Sequence, residues 1–447
     1  MDVRHRVFAR MWAVAALAHL AGNWRGGDLW PAPTALGLLL AALGVAATVV
    51  LLTPRRVSIL VLMALVPATA VLEAPVLGNH WLLAGLVSLG YLLTGGRWSR
   101  FEPLARVALL SFYVFAAFAK LNTGFLDPAL SCGPFHLDEA LGAVGIAPVD
   151  RDGSLGLLSV WVPAAIELAV PVLLLVRRTR RAGVLLAMAF HSALSFDLGQ
   201  HFYDFTAVLL PLFALFLADG FFERFDAAGR AFGRRGRTVL QAAVVLVGTS
   251  VTAANVLPIT VGSHAWLSAG TFLWWTPFVA LVAWSACPSA PSVRLGWRLG
   301  PAAVLVAGLV VVNGLTPYLE LKSGFGWHMY SNLVLVDGAS NHLVVRRSLP
   351  VREGHQDLVT VLASSDPGLA AYVDQEYLLP WPSLRVHARQ VPDASLTYER
   401  AGATVAVERI GNSALADPVP WWWPWMPLRS VHATTPATCQ DSYLPVL

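Results

Sequence analysis

Long apolar runs separated by short polar connections fill the first 317 residues. They lie at about 8–24, 35–53, 57–77, 80–96, 104–121, 155–176, 182–199, 202–219, 238–259, 266–286 and 300–317. An α-helix needs about 20 apolar residues to cross about 30 Å of hydrocarbon. The pattern predicts an all-α polytopic membrane bundle of about nine to eleven spans. The runs at 182–199 and 202–219 are short enough to form a re-entrant pair instead.

Arginines mark every second connection between these runs. They cluster before the first run and after the second, fourth, sixth, eighth and tenth, as at Arg55-Arg56 and Arg177-Arg178. Cytoplasmic connections of membrane proteins carry an excess of arginine and lysine. The alternation therefore predicts a multi-pass protein of the cell membrane, with a cytoplasmic N-terminus and an extracytoplasmic C-terminal region.

The composition agrees with a membrane location. The chain is 56% hydrophobic and 13% charged, whereas soluble domains carry about 25% charged residues. The net charge of +4 resides mostly in the arginine clusters. Clusters that follow topology are not typical of a basic face that binds nucleic acid. We expect membrane lipids around the chain and no nucleic-acid partner.

The pattern changes after residue 317, which predicts two domains, 1–317 and 318–447. Strand-like runs at 332–336 and 342–346 flank Asp337-Gly338, a typical hairpin turn. Further strand candidates lie at 357–362, 384–389 and 403–409. The C-terminal residues therefore predict a small β-rich domain with its own core.

Polar residues gather at the helix ends of the predicted outer face. They are His19, Glu73, Asn79, His80, Lys120, Asn122, His201, Asp204, Asn255 and His264, and His191 lies deeper. Ionisable residues within membranes are costly and usually functional, although a single histidine is more often a helix-packing residue. Their shared depth favours one common site.

Lys120 ends the fifth apolar run and has two interpretations. It can be an anchor that extends its ammonium to the headgroups. It can also be a base, neutral because it is half-desolvated beside a membrane-borne substrate. Glu167 is similarly open: it lies between Pro163 and Pro171, and its carboxylate could serve a site or bind backbone groups freed by those prolines.

Three cysteines occur in the chain, and two of them fall on the predicted outer side. An oxidising exterior allows a disulfide between Cys132 and Cys439. The sequence contains no CxxC or HExxH spacing, so it predicts no metal site. It also contains no P-loop and no GxSxG nucleophile turn.

Several short motifs, in order, resemble the HTTM (horizontally transferred transmembrane) family, which includes vitamin K-dependent gamma-carboxylase. The motifs are Asn79-His80-Trp81-Leu82-Leu83, Phe118-Ala119-Lys120-Leu121-Asn122, Glu167 followed by Phe190-His191 and Gly199, and the stretch from Pro317-Tyr318 through Met329-Tyr330-Ser331-Asn332-Leu333. The resemblance covers roughly residues 5 to 345. It implies an HTTM domain of transmembrane helices.

The resemblance also implies a chemistry. A lysine at the Lys120 position would deprotonate a quinol, either vitamin K-like or a menaquinol. Oxygen would then yield a strong alkoxide base that prepares a glutamyl side chain of a peptide or protein for carboxylation. This is lyase and oxidoreductase chemistry, with His80 as the catalytic partner. The residues expected to contact substrate are Asn79, Asn122, Glu167, His191 and His201.

Two departures from the family pattern support an alternative. The Phe190-His191 element lacks the family asparagine and is shorter before Gly199, and the C-terminal region is far smaller than that of the carboxylase. The alternative is a non-catalytic membrane protein of peptide export, maturation or immunity. It predicts that Lys120→Arg, which keeps the charge, preserves function. A transporter would favour internal repeats, and none is evident.

Overall fold

The computed structural model describes residues 1–22, 34–142, 145–196, 202–231, 233–256, 264–288, 300–352, 354–373, 377–432 and Cys439. The helices of the first 317 residues are α1 (Val3–Gly22), α2 (Thr34–Leu52), α3 (Arg56–Glu73), α4 (Asn79–Leu93), α5 (Trp98–Ala119), α6 (Thr123–Leu126), α7 (Cys132–Gly142), α8 (Ser154–Leu175), α9 (Arg180–Leu194), α10 (Phe202–Ala214), α11 (Asp219–Ala231), α12 (Arg234–Val256), α13 (His264–Ala286) and α14 (Pro301–Leu315). Each apolar run of the sequence coincides with one of these helices.

The prediction of a mostly helical chain with a small β region at its C-terminus is confirmed. Among the described residues, five helices are long and apolar enough to cross a membrane: α2, α3, α5, α8 and α12. Helices α4, α10 and α14 are apolar but shorter. One continuous core joins most of the bundle, with α1 packed against α2 and α10, and α8 against α9 and α5.

Buried arginines hold one end of the bundle together. The Arg4 guanidinium donates to the carbonyl of Leu217 at 3.1 Å, and Arg106 Nε donates to the carbonyl of Leu215 at 2.9 Å. Both arginines also contact the carboxylate of Glu102. Leu215 and Leu217 lie in the turn that follows α10, so these arginines satisfy carbonyls of the connection between α10 and α11. Two arginines of the sequence pattern therefore serve helix packing.

The first residues after α14 pack onto the helices, and a separate sheet follows further along the chain. Phe325 and Trp327 belong to the helical core, and the Trp327 indole donates to the carbonyl of Val310 at 2.7 Å. The hairpin predicted at Asp337-Gly338 is present, with both residues at positive φ, and joins β1 (Leu335–Val336) to β2 (Ala339–Ser340). The first residues after 317 are thus an extension of the bundle.

The strand predicted at 342–346 is wrong. The imidazole Nδ1 of His342 accepts from the backbone N–H groups of Val344 and Val345, at 3.0 and 3.1 Å. A side chain that bonds to nearby backbone in this way competes with strand pairing.

The remaining C-terminal residues form an antiparallel five-stranded sheet in the order β6-β5-β3-β4-β7. Its elements are β3 (Leu358–Ser364), α15 (Pro367–Ala370), β4 (Tyr377–Pro380), α16 (Trp381–Ala388), β5 (Leu396–Arg400), β6 (Ala403–Val407) and β7 (Val431–His432). The strand predicted at 384–389 is wrong, because that segment is helix α16. Pro382 lies in its first turn, where its fixed φ favours a helix, and Leu384, His387 and Ala388 share its buried face.

Asn122 joins the end of α5 to the chain after α14. Its side chain is completely buried and its amide nitrogen donates to the carbonyls of Ala119 and Ser331, at 2.7 and 2.6 Å. Its Oδ1 accepts from the backbone N–H of Phe125 at 2.8 Å. One amide therefore satisfies three backbone groups from two parts of the chain.

We expect Asn122→Ala to lower the free energy of unfolding by about 1–3 kcal/mol, because it leaves buried backbone groups without partners. Thermal unfolding of the purified protein in detergent measures the effect. Thr123→Ala, at the exposed neighbouring position, is the matched control and should change little. Equal stability of the two variants would contradict this role of the amide.

Glu320 anchors the β1–β2 hairpin and gives the C-terminal region an acid-sensitive contact. Burial raises the pKa of its carboxyl, but hydrogen bonds from His355, Ser348 and the backbone N–H groups of Gly338 and Asp337 outweigh burial and lower that pKa to about 2. The ordinary value is 4.5. Stability from this carboxylate is therefore complete above pH 4.5 and is lost as the pH falls towards 2.

We expect wild-type stability to fall between pH 4.5 and 2, and we expect Glu320→Gln to lack that part of the dependence. Unfolding temperatures measured across this range, for both proteins in the same detergent, provide the comparison. A wild-type curve that is parallel to that of Glu320→Gln would contradict the assignment.

Candidate functional site

A cavity of about 610 Å³ lies among α5, α7, α8, α9 and α10, under the residues that follow α14. Its wall is mainly apolar and aromatic, including Phe112, Phe125, Phe190, Phe205 and Trp327. Ligand sites commonly have volumes of about 300–1,000 Å³ and a few polar groups in an apolar wall. Four polar residues predicted from the sequence line this cavity: Asn79, Lys120, Glu167 and His191.

Lys120 lies at the C-terminal end of α5, and its side chain borders the cavity. Its backbone N–H bonds to the last turn of the helix. A cation is favoured at a helix C-terminus, where carbonyl groups concentrate partial negative charge. Only 9% of Lys120 is exposed, so its ammonium is not extended into open solvent.

Glu167 supplies the charge opposite Lys120. Its Oε2 lies 2.8 Å from Lys120 Nζ, although this contact is not directed as a regular hydrogen bond. In the described part of the chain, no hydrogen bond joins Glu167 to the backbone near Pro163 or Pro171. The arrangement therefore favours a role of Glu167 in the cavity over hydrogen bonding to backbone groups freed by the two prolines.

His191 lines the cavity together with Tyr113, a residue that the sequence analysis did not single out. The hydroxyl of Tyr113 lies 2.9 Å from His191 Nε2, and both residues are buried. When that hydroxyl donates, the proton of a neutral imidazole resides on Nδ1. This Nδ1 has no hydrogen-bond partner among the described residues. His191 can therefore offer a donor to a molecule in the cavity.

Asn79 and His80 are adjacent in sequence but occupy different places. Asn79 borders the cavity, and its buried Oδ1 has no hydrogen-bond partner in the described chain. His80 does not line the cavity and contacts the ring of Phe205, which also contacts the rings of His191 and Phe112. One aromatic ring thus separates His80 from the cavity, which does not favour direct contact between His80 and a bound molecule.

His80 belongs instead to a buried polar cluster, defined here as His19, Glu73, His80 and Asp204. His80 Nε2 lies 2.7 Å from Asp204 Oδ2. His19 Nδ1 lies 3.3 Å from the same oxygen, and its Nε2 lies 3.0 Å from Glu73 Oε1. The sequence placed these residues at one depth, and the structure brings them into contact.

The other predicted residues have distinct positions. Asn122 does not line the cavity, because its amide is engaged by backbone groups. Cys132 borders the cavity and forms a disulfide with Cys439, the pairing that the sequence allows. His201 lies outside the described residues.

The cavity opens on the apolar outer surface of the bundle. Leu155, Leu158 and Val162 of α8 line it and are also 58%, 52% and 44% exposed. Phe196 shares both properties. The wall therefore combines an apolar opening with a set of polar residues, here called the polar end: Asn79, Lys120, Glu167 and His191. An amphipathic molecule with one polar head fits this division.

Comparisons with protein-family models, with curated proteins and with solved structures found no match. The geometry of the cavity and of the polar cluster is therefore the basis for assigning a function.

We expect the Lys120–Glu167 contact to be visible in a double-mutant cycle. Glu167→Gln leaves the ammonium without its counter-charge and should lower the free energy of unfolding by about 3–5 kcal/mol. Lys120→Met combined with Glu167→Gln should recover part of that loss, because no unpaired charge remains. Thermal unfolding of the single and double variants in detergent checks this, and strictly additive effects would contradict a direct interaction.

Proposed function

We propose that this chain is an HTTM-type integral membrane protein whose cavity binds a quinol-type lipid, with Lys120 as the base at the polar end. The observation that carries the proposal is the meeting of Lys120, Glu167, His191 and Asn79 in one apolar cavity. Distant parts of the chain supply these residues, although polar groups in an apolar bundle are costly. A vitamin K-like quinol or a menaquinol has the required polar ring and apolar tail.

The proposed orientation places the ring at the polar end and the tail at the opening beside Leu155 and Leu158. His191 Nδ1 and the Asn79 amide would bind ring oxygens, since both bear buried atoms without partners in the described chain. The aromatic wall would exclude water from the ring, and exclusion of water protects a reactive oxyanion from quenching.

Lys120 needs a neutral amine to act as a base. Glu167 Oε2 lies 2.8 Å from Lys120 Nζ and would hold the amine in position beside the quinol. The amine then accepts the hydroxyl proton of the quinol. Reaction of the deprotonated quinol with O2 would then give a quinone epoxide and an alkoxide base. That base would remove a γ-proton from a peptide or protein glutamate, and the resulting carbanion would add CO2, as in a gamma-carboxylase-like reaction.

The proposal includes a membrane arrangement. The helices would form about nine to eleven spans, with the N-terminus in the cytoplasm and residues 318–447 outside. Arg4 and Arg106 would then lie at the cytoplasmic end and Lys120 towards the outer face. The Cys132–Cys439 disulfide is compatible with an oxidising exterior.

The alternative is a non-catalytic protein of peptide export, maturation or immunity, in which the cavity only binds a lipid. The ion pair of Lys120 with Glu167 favours it in one respect, since a paired ammonium can serve as a fixed charge. The two functions differ in their tolerance of Lys120→Arg. Arginine keeps the charge and cannot act as a base near neutral pH.

We expect both Lys120→Ala and Lys120→Arg to lower quinol turnover in membranes by roughly 10²–10⁴-fold, the range typical of a lost general base. Quinol consumption is followed by chromatography, and quinol retained by the purified protein measures binding. Lys322→Arg is the matched control, because Lys322 is the other lysine of the chain and is also buried, away from the cavity.

Unchanged turnover in both Lys120 variants would remove Lys120 as the base. Quinol binding that is retained in Lys120→Arg and lost in Lys120→Ala would favour the non-catalytic alternative, in which only the charge matters. Absence of quinol turnover in the wild-type protein, together with loss of quinol binding in Lys120→Arg, would also contradict the base mechanism.

A further inference from the structure

We propose that His19, His80 and Asp204 form a binding site for a divalent first-row transition-metal ion, with Glu73 as the carboxylate that orients His19. The donor atoms come from α1, α4 and α10. His19 Nδ1, His80 Nε2 and a carboxylate oxygen of Asp204 all lie within 4.8 Å of one another. The site is distinct from the cavity, so the inference does not depend on what the cavity binds.

The distances suit a common ion. Asp204 Oδ2 lies 2.7 Å from His80 Nε2 and 3.3 Å from His19 Nδ1. Bonds from such ions to nitrogen and oxygen measure about 2.0–2.2 Å, which places neighbouring ligand atoms roughly 3 Å apart. Two imidazoles and one carboxylate on one side of an ion leave further positions open, an arrangement that suits Fe²⁺ or Zn²⁺.

Glu73 gives His19 the second contact that a metal-binding histidine usually has. Its two oxygens lie 3.0 and 3.2 Å from His19 Nε2. A carboxylate in this place accepts the Nε2 proton and leaves the Nδ1 lone pair for an ion. The ring of Trp81 stacks on His19 at 3.7 Å, which fixes the plane of the imidazole.

The charges of the cluster also call for a cation. Glu73 and Asp204 are 4% and 3% exposed, and both histidines are buried. Two carboxylates in an apolar bundle need two compensating positive charges. One divalent ion supplies both and leaves the imidazoles neutral. The competing arrangement is a hydrogen-bonded network in which both histidines hold an extra proton.

The test measures metal directly. The full chain is purified in detergent through an affinity tag without histidine, and metals are quantified by mass spectrometry. We expect about one equivalent of zinc or iron in the wild type and a loss of at least about fivefold in His19→Gln, His80→Gln and Asp204→Asn. Glu73→Gln should weaken metal affinity by about 10–100-fold. His5→Gln is the matched control, because His5 is another buried histidine of α1.

A second measurement needs no variant to fold. Wild-type protein stripped with a chelator is titrated with Co²⁺, whose visible absorption bands report coordination by nitrogen and oxygen. Saturable bands at about one equivalent, abolished by added Zn²⁺, would support the site. Folded wild-type protein that retains no metal and gives no Co²⁺ bands would overturn it, as would metal binding that is equal in the His5→Gln and His80→Gln proteins.

Discussion

Buried charge that must find a partner is the constraint on which this bundle depends. A carboxylate, ammonium or imidazole among apolar helices is costly unless another polar group meets it. Lys120 meets Glu167 across the cavity, and Asp204 meets two histidines within the polar cluster. Each contact joins helices that are distant in sequence. The same interactions that make these residues tolerable therefore fix how the helices pack.

The bundle has two polar layers with different roles. At one end, Arg4 and Arg106 neutralise Glu102 and donate to carbonyls in the turn that follows α10. At the other end, the polar cluster and the cavity lie side by side, with the ring of Phe205 between them. The first layer leaves few groups for other partners. The second includes atoms of Asn79, His80 and His191 that bond to nothing in the described chain, and it is the part suited to chemistry.

The sequence predicted the helices well because apolar length is a local property, and each apolar run coincides with a helix. It also placed the polar residues of the site at one depth. It did not predict that His80 lies behind Phe205, or that Asn122 is engaged by backbone groups, because such outcomes depend on packing between distant segments. The three residues proposed to bind a metal ion, His19, His80 and Asp204, come from α1, α4 and α10, so they have no characteristic spacing in the sequence either. The alternating apolar residues at 384–389 resembled a strand, although the segment belongs to helix α16 and Pro382 lies in its first turn.

The exposed leucines of α8 form the mouth of the cavity, through which a bound molecule would enter and leave. In the membrane arrangement proposed above, a molecule that enters beside Leu155 and Leu158 would exchange with acyl chains and not with bulk water. Its saturation would then follow its mole fraction in the bilayer. Diluting the protein in aqueous buffer would leave occupancy unchanged, whereas diluting the bilayer with inert lipid would empty the cavity.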